Sequence, residues 1–327
     1  MAWPRDQWRQ RRGVQQLIAT VLAAAPLGCS STLGCEPSPQ AVAADQTLTV
    51  EQINQIAARK RGTDPSTLTC EQVCEATLFV HQPEIDSCSL TLPQAATGAT
   101  AEVAGRIVCS GKGAVLCEGR RPLGHVEVPS HMASLGATLA AMAHLEWASI
   151  GAFEELAEQV RALGGSDRDV QRCLDAAQDE RNHTRWLTDL AAAHGHGVTQ
   201  PRAEPGPTSL LLIALHNAIE GCVHETWAAL CAHLRSVRAE DATLRVVLAR
   251  IAQDETRHAQ LAWDLHDFFV GLLTPDDAVQ VQRARAKALR DLPRLAAAQA
   301  MLPRELGAVP TTVAVDAATQ FSQQLAA

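Results

Sequence analysis

The 327-residue chain is predicted to be mainly α, a four-helix bundle with a long crossover between its second and third helices, preceded by a small Cys-rich region. Three observations predict this. After Pro129, four long segments carry apolar residues at helical spacing. Of the three connections between them two are short, and the middle one is long and proline-rich, as when two antiparallel hairpins are joined by a crossover. The composition is 46% hydrophobic but only 3% aromatic, so the core must be built from Ala, Leu and Val, which lets helices approach closely.

The first predicted helix runs from about His131 to Leu163 and stops at Gly164–Gly165. The second starts at Ser166, with Asp169 placed as its capping partner, and ends near His194–Gly195. After a connection over 196–207, the third helix covers Thr208 to Val237. Asp241 caps the fourth, which reaches Leu273 before Thr274–Pro275. The bundle is therefore expected at 131–273. The tail, 274–327, is Ala-rich and reads as one more helix broken by Pro293 and Pro303.

Upstream, residues 1–28 read as an export signal. Arg5, Arg9, Arg11 and Arg12 lead into an apolar run, Leu17 to Leu27, too short to span a bilayer as a helix. The run meets Gly28–Cys29. This resembles a bacterial lipoprotein signal, in which the Cys becomes the lipidated residue, although Pro26 stands where that pattern has Leu. The resemblance implies a chain exported to the cell envelope and held at the membrane by a lipid anchor on Cys29. Residues 29–50, rich in Ser, Pro, Ala and Gln, are expected to form a flexible tether.

Seven of the ten cysteines precede residue 130, as expected of disulfides in an oxidising compartment. No C-x-x-C pair marks a rubredoxin-like or zinc-ribbon site. Within this region, 51–130, short helices are expected near Val50–Lys60 and Cys70–Leu78. Strands are expected at Ser87–Leu92, Glu102–Cys109 and Ala114–Cys117. Cys173, Cys222 and Cys231 fall in helical segments and read as small buried residues. The formal net charge of −8 argues against a nucleic-acid partner.

The chemistry sits on the second and fourth helices. The second contains Asp179-Glu180-Arg181-Asn182-His183, the fourth Asp254-Glu255-Thr256-Arg257-His258. Glu and His three apart leave the same helix face one turn apart. One E-x-x-H is weak, but D-E-x-x-H twice, at equivalent places in two hairpins, is not a chance pattern. On the first helix Glu146 lies among Leu139, Met142, Leu145, Ile150 and Phe153. An inward Glu there is costly unless paired or bound to metal. Glu154 is its weaker rival. On the third helix Glu220 lies among Leu215, Ile219 and Val223. Glu146 precedes its E-x-x-H by 34 residues and Glu220 by 35, which favours Glu220, with Glu225 as the rival.

The set Glu146, Glu180, His183, Glu220, Glu255 and His258 resembles the ferritin-like di-iron carboxylate superfamily, over about 140 of the 327 residues. The resemblance implies a pair of iron ions, or manganese or a mixed pair. Glu180 and Glu255 would bridge, and Glu146 and Glu220 would be terminal. It further implies that Asp179 orients His258 and Asp254 orients His183. The expected activity is that of a di-iron oxidoreductase using O2 or peroxide with an electron donor or substrate that the sequence leaves open. The alternative is a cell-envelope iron-binding, storage or non-catalytic scaffold lipoprotein. The chain has no Tyr, which excludes a tyrosyl-radical role. His224, His144 and His266 read as supporting residues rather than ligands.

Overall fold

The structure is a computed structural model describing residues 13–24, 41–59, 64–78, 81–94, 103–114, 120–123, 125, 134–203, 209–299, 302–308 and 310–326. It is mainly helical with one small sheet. The first long helix, α4 (Leu135–Ala162), starts at Ser134, whose hydroxyl accepts from the Ala137 amide. The second, α5 (Asp167–Ala193), is capped by Ser166 accepting from the Asp169 amide. Gly164 and Gly195 follow these two helices at φ 78°, a left-handed conformation that glycine adopts without strain. The two helices pack along each other as one hairpin.

The second hairpin is less regular. Its ascending arm is α6 (Leu210–His216), a π-helical stretch (Asn217–Glu225) and α7 (Thr226–Arg238). The descending arm is α8 (Ala242–Leu272), where Asp241 accepts from the Leu244 amide at 2.8 Å. Helix α8 packs along α7 and the π-helix and also against α5, so the two E-x-x-H helices face each other. Small residues line the buried surfaces: Ala143, Ala177, Ala252, Ala259 and Ala262 are all buried. The tail forms two helices rather than a single broken one, α9 (Pro275–Gln299), which tolerates Pro293 inside it, and α10 (Thr311–Ala326). Trp227 of α7 meets Phe321 of α10 edge-on, with ring centroids 5.8 Å apart.

Upstream of the hairpins lie α1 (Val14–Ala24), β1 (Ala41–Leu48), α2 (Val50–Arg59), α3 (Cys70–Leu78), β2 (His81–Thr91) and β3 (Gly105–Ala114). The strands form an antiparallel sheet in the order β1-β3-β2. Cys88 and Cys109 stand opposite each other across β2 and β3. Cys70 and Cys74, four apart on α3, reach them as Cys70–Cys88 and Cys74–Cys109. Two bridges from one helix face thus staple α3 to the sheet. Cys29, Cys35 and Cys117 lie outside the described residues.

Two segments differ from the sequence expectation. Within the expected tether, Ala41–Leu48 is a strand, and Asp45 pairs with Arg106 of β3 at 2.8 Å. Pairing to a neighbouring strand overrides a composition that shows no period. Within the expected export signal, Val14, Leu17, Ile18 and Val21 recur on one face of α1 and are buried. That face packs on α7, α8 and α10, and the Val14 amide donates to Gln260 Oε1 at 3.3 Å. Among the described residues no helix is long and apolar enough to cross a membrane.

Candidate metal centre

Glu146, Glu180, His183, Glu225, Glu255 and His258 converge between the hairpins, each nearly inaccessible to solvent. Their ligand atoms form two groups, Glu146–Glu180–His183–Glu255 and Glu225–Glu255–His258, with the atoms of each group within 4.8 Å of one another. Glu255 belongs to both. Its Oε1 is 3.5 Å from His183 Nδ1 and 3.6 Å from His258 Nδ1. Glu180 also spans the two histidines, with Oε2 3.5 Å from His183 Nδ1 and Oε1 3.1 Å from His258 Nδ1. Glu146 Oε2 lies 3.6 Å from His183 Nδ1. The imidazole centroids are 6.1 Å apart.

The outer nitrogens are held in place. His183 Nε2 faces Asp254 Oδ2 at 3.2 Å and His258 Nε2 faces Asp179 Oδ2 at 3.3 Å. Each aspartate therefore serves the histidine of the opposite helix, leaving Nδ1 turned to the carboxylates. Arg257 ties the two aspartates together, with Nη2 2.8 Å from Asp179 and 2.7 Å from Asp254.

The inner atoms fit a metal pair. Both oxygens of Glu146, Glu180, Glu225 and Glu255, and Nδ1 of both histidines, are buried without a hydrogen-bond partner among the described residues. Six side chains left in that state would be strongly destabilising unless they share cations. In the protein without metal, protons fill this role. Burial, then repulsion from Glu180 and Glu255 respectively, holds Glu146 and Glu225 well above the ordinary 4.5. Burial alone would depress the imidazoles. The charge of Glu180 on His183 and of Glu255 on His258, with their aspartate bonds, holds both well above 6.5. Burial also acts to raise Glu180 and Glu255, but the neighbouring protonated groups outweigh it and keep both low. Two divalent cations with four glutamates and two neutral imidazoles sum to zero charge, so the donor set matches such a pair.

The structure corrects one expected ligand. Glu220 does not join the cluster. It lies partly exposed and pairs with His224 Nδ1 at 3.1 Å, which, after the opposing effect of burial, holds its carboxyl far below the usual range. Glu225 takes the inward place. In an antiparallel hairpin, residues equally far from the turn sit at equal height. Glu255 lies 13 residues past Ala242 and Glu225 13 before Arg238, whereas Glu220 lies 18 before it. Those five residues shift Glu220 by about 7 Å along the axis. The π-helical stretch also breaks the 3.6-residue period used to choose the inward face. Distance from the turn is the signal in the sequence that would have favoured Glu225. On α4, Glu154 points outward to Arg181. His144 bonds the Thr199 carbonyl oxygen at 2.7 Å and His266 meets Arg285 at 3.0 Å, so both are structural. Cys173, Cys222 and Cys231 are buried, and burial pushes the thiols of the first two up to about 12.

Two outcomes follow from this geometry. Glu225→Gln is expected to remove about one of two bound metal ions per chain, while Glu220→Gln leaves stoichiometry unchanged. Equal loss in both variants, measured by elemental analysis, would contradict the assignment. The raised groups stabilise the metal-free fold below pH 4.5 for the glutamates and below 6.5 for the histidines, and this stabilisation is lost as pH rises through their folded values. Metal competes with those protons. The rise in melting temperature caused by metal should therefore grow from about pH 5 to about pH 8. A pH-independent rise would refute the proton exchange.

No protein-family model, characterised protein or solved structure matches the chain, so the assignment rests on the geometry of this centre.

Proposed function

We propose that the two hairpins are a ferritin-like four-helix bundle holding a carboxylate-bridged pair of iron ions, and that the protein is an oxidoreductase that uses O2 or peroxide. One observation carries the reading: Glu180 directs one oxygen at each of the two histidines, while Glu255 is shared by both ligand groups. Carboxylates in that position suit two hard or borderline cations about 3.5–4 Å apart. Bound there, an iron pair would supply electrons to O2 or peroxide and regain them from a donor. The chain's own residues supply the surroundings. Asp179 and Asp254 fix the imidazole orientations, and the buried carboxylates accept and release protons as charge changes. Phe153, centred 5.0 Å from the His258 ring, and the alanines around it keep bulk water out.

Loading the metal-free chain anaerobically with ferrous iron tests this. About two irons per chain, then an oxo-bridge absorption band on exposure to O2 or peroxide that dithionite bleaches, are expected. Glu180→Gln and His258→Ala should bind less iron and lose the band. Zinc or no metal in the iron-supplied wild type would sink the reading. Binding of iron without turnover of O2 or peroxide would favour storage or a scaffold role instead.

We also propose that the chain is exported and anchored through Cys29. The two disulfides support an oxidising compartment. Mass spectrometry of the mature N-terminus should find an acylated Cys29; a chain still beginning at Met1 would overturn it, and would leave α1 as a permanent helix of the fold.

A further inference from the structure

The π-helical stretch presents Asn217, Gly221 and Glu225, four residues apart, as one buried stripe. A guanidinium from outside the hairpins enters this stripe. Arg120 is 2% exposed, and its Nη1 donates to Asn217 Oδ1 at 3.1 Å. Its Nη2 lies 3.4 Å from His216 Nδ1. His216 Nε2 lies 2.8 Å from the Arg121 carbonyl oxygen, so it carries the proton and leaves Nδ1 to accept. Gly221 makes the room, since a methyl group there would fall 2.6 Å from Arg120 Nη1. Among the described residues, the hydrogen-bond acceptors of Arg120 are thus an amide oxygen and an imidazole nitrogen, and no carboxylate lies within ion-pair distance.

A full positive charge buried on neutral acceptors is costly unless an anion nearby offsets it. Glu225 becomes that anion when a cation takes the place of its proton. It lies four residues beyond Gly221 on the same buried stripe. Burial disfavours the charged guanidinium, and of its neighbours the Glu225 carboxylate does most to favour it. Among the described residues the first ligand group has no such neighbour: Arg250 and Arg257 are half-exposed and reach only the outer aspartates.

We propose that Arg120 makes the two halves of the centre unequal: as a fixed counter-charge to Glu225 it weakens cation binding in the Glu225–Glu255–His258 half and makes that metal the exchangeable one. The Glu146–Glu180–His183 half fills first and releases last. Arg120 is a positioning residue here, not a ligand, and the inference rests on the two-metal reading above.

The test is a titration of the full metal-free chain with Co(II), followed by its visible absorption against a chelator. The wild type is expected to bind two ions in separate steps. Arg120→Met keeps length and removes charge. It should tighten the second step at least about tenfold and leave the first unchanged. Arg120→Lys keeps the charge and should keep the steps apart. A purely structural role for Arg120 predicts the opposite sign, a weaker second step on its loss. Arg120→Gln, neutral but still able to donate to Asn217, gives the same readout should the Met variant not fold. An unchanged or weakened second step in whichever neutral variants fold, or failure of both to fold, overturns the inference while leaving the two-metal reading intact. A wild-type chain that binds no cobalt overturns both.

Discussion

Four carboxylates and two imidazoles enclosed by apolar helices set the terms for the rest of this molecule. Uncompensated, a single buried carboxylate costs several kcal/mol, a sizeable share of the stability of an ordinary domain. The surrounding structure is arranged so that none stands uncompensated. Two helices that each offer Glu and His one turn apart face each other, and their outer aspartates cross over to hold the opposite histidine. Arg257 then closes the circuit from the surface by joining Asp179 and Asp254. Alanines at Ala177, Ala252 and Ala259 let the helices come close enough for the carboxylates to meet.

Much of this was legible in the sequence. The repeated D-E-x-x-H placed four of the six inward side chains and the two aspartates behind them, because an i, i+3 pair has one geometry on any helix. Helix ends were equally legible, since Ser166, Asp241, Gly164 and Gly195 act through local backbone chemistry. Glu225 was obscured because its selection depended on two non-local quantities, the length of the second hairpin and the departure from α-helical period at Asn217–Glu225. The strand at Ala41–Leu48 was hidden for a similar reason. Its pairing partner lies 57 to 71 residues away, in β3, and its own composition carries no alternation. Disulfide connectivity needed the register of β2 against β3 to bring Cys88 opposite Cys109.

The Cys-rich region then has a role beyond stabilising itself. Its bridges fix α3 on the sheet, and β3 in turn touches α9, which packs on the π-helix. The segment leaving that sheet carries Arg120 into the hairpins, where Gly221 leaves space for it. The N-terminal part delivers a charge that the helices themselves do not supply.

This arrangement also accounts for the irregularity of the second hairpin. A regular helix through Asn217–Glu225 would satisfy its backbone more simply, and a residue larger than glycine at 221 would fill the gap beside Ala262. A side chain at 221 would crowd the guanidinium and Ala262. The π-helical turn, the glycine and the buried arginine instead make one half of the centre differ from the other while the six inward side chains keep near-equivalent chemistry. Asymmetry is therefore written into the second helix pair and its neighbour, and symmetry into the ligands.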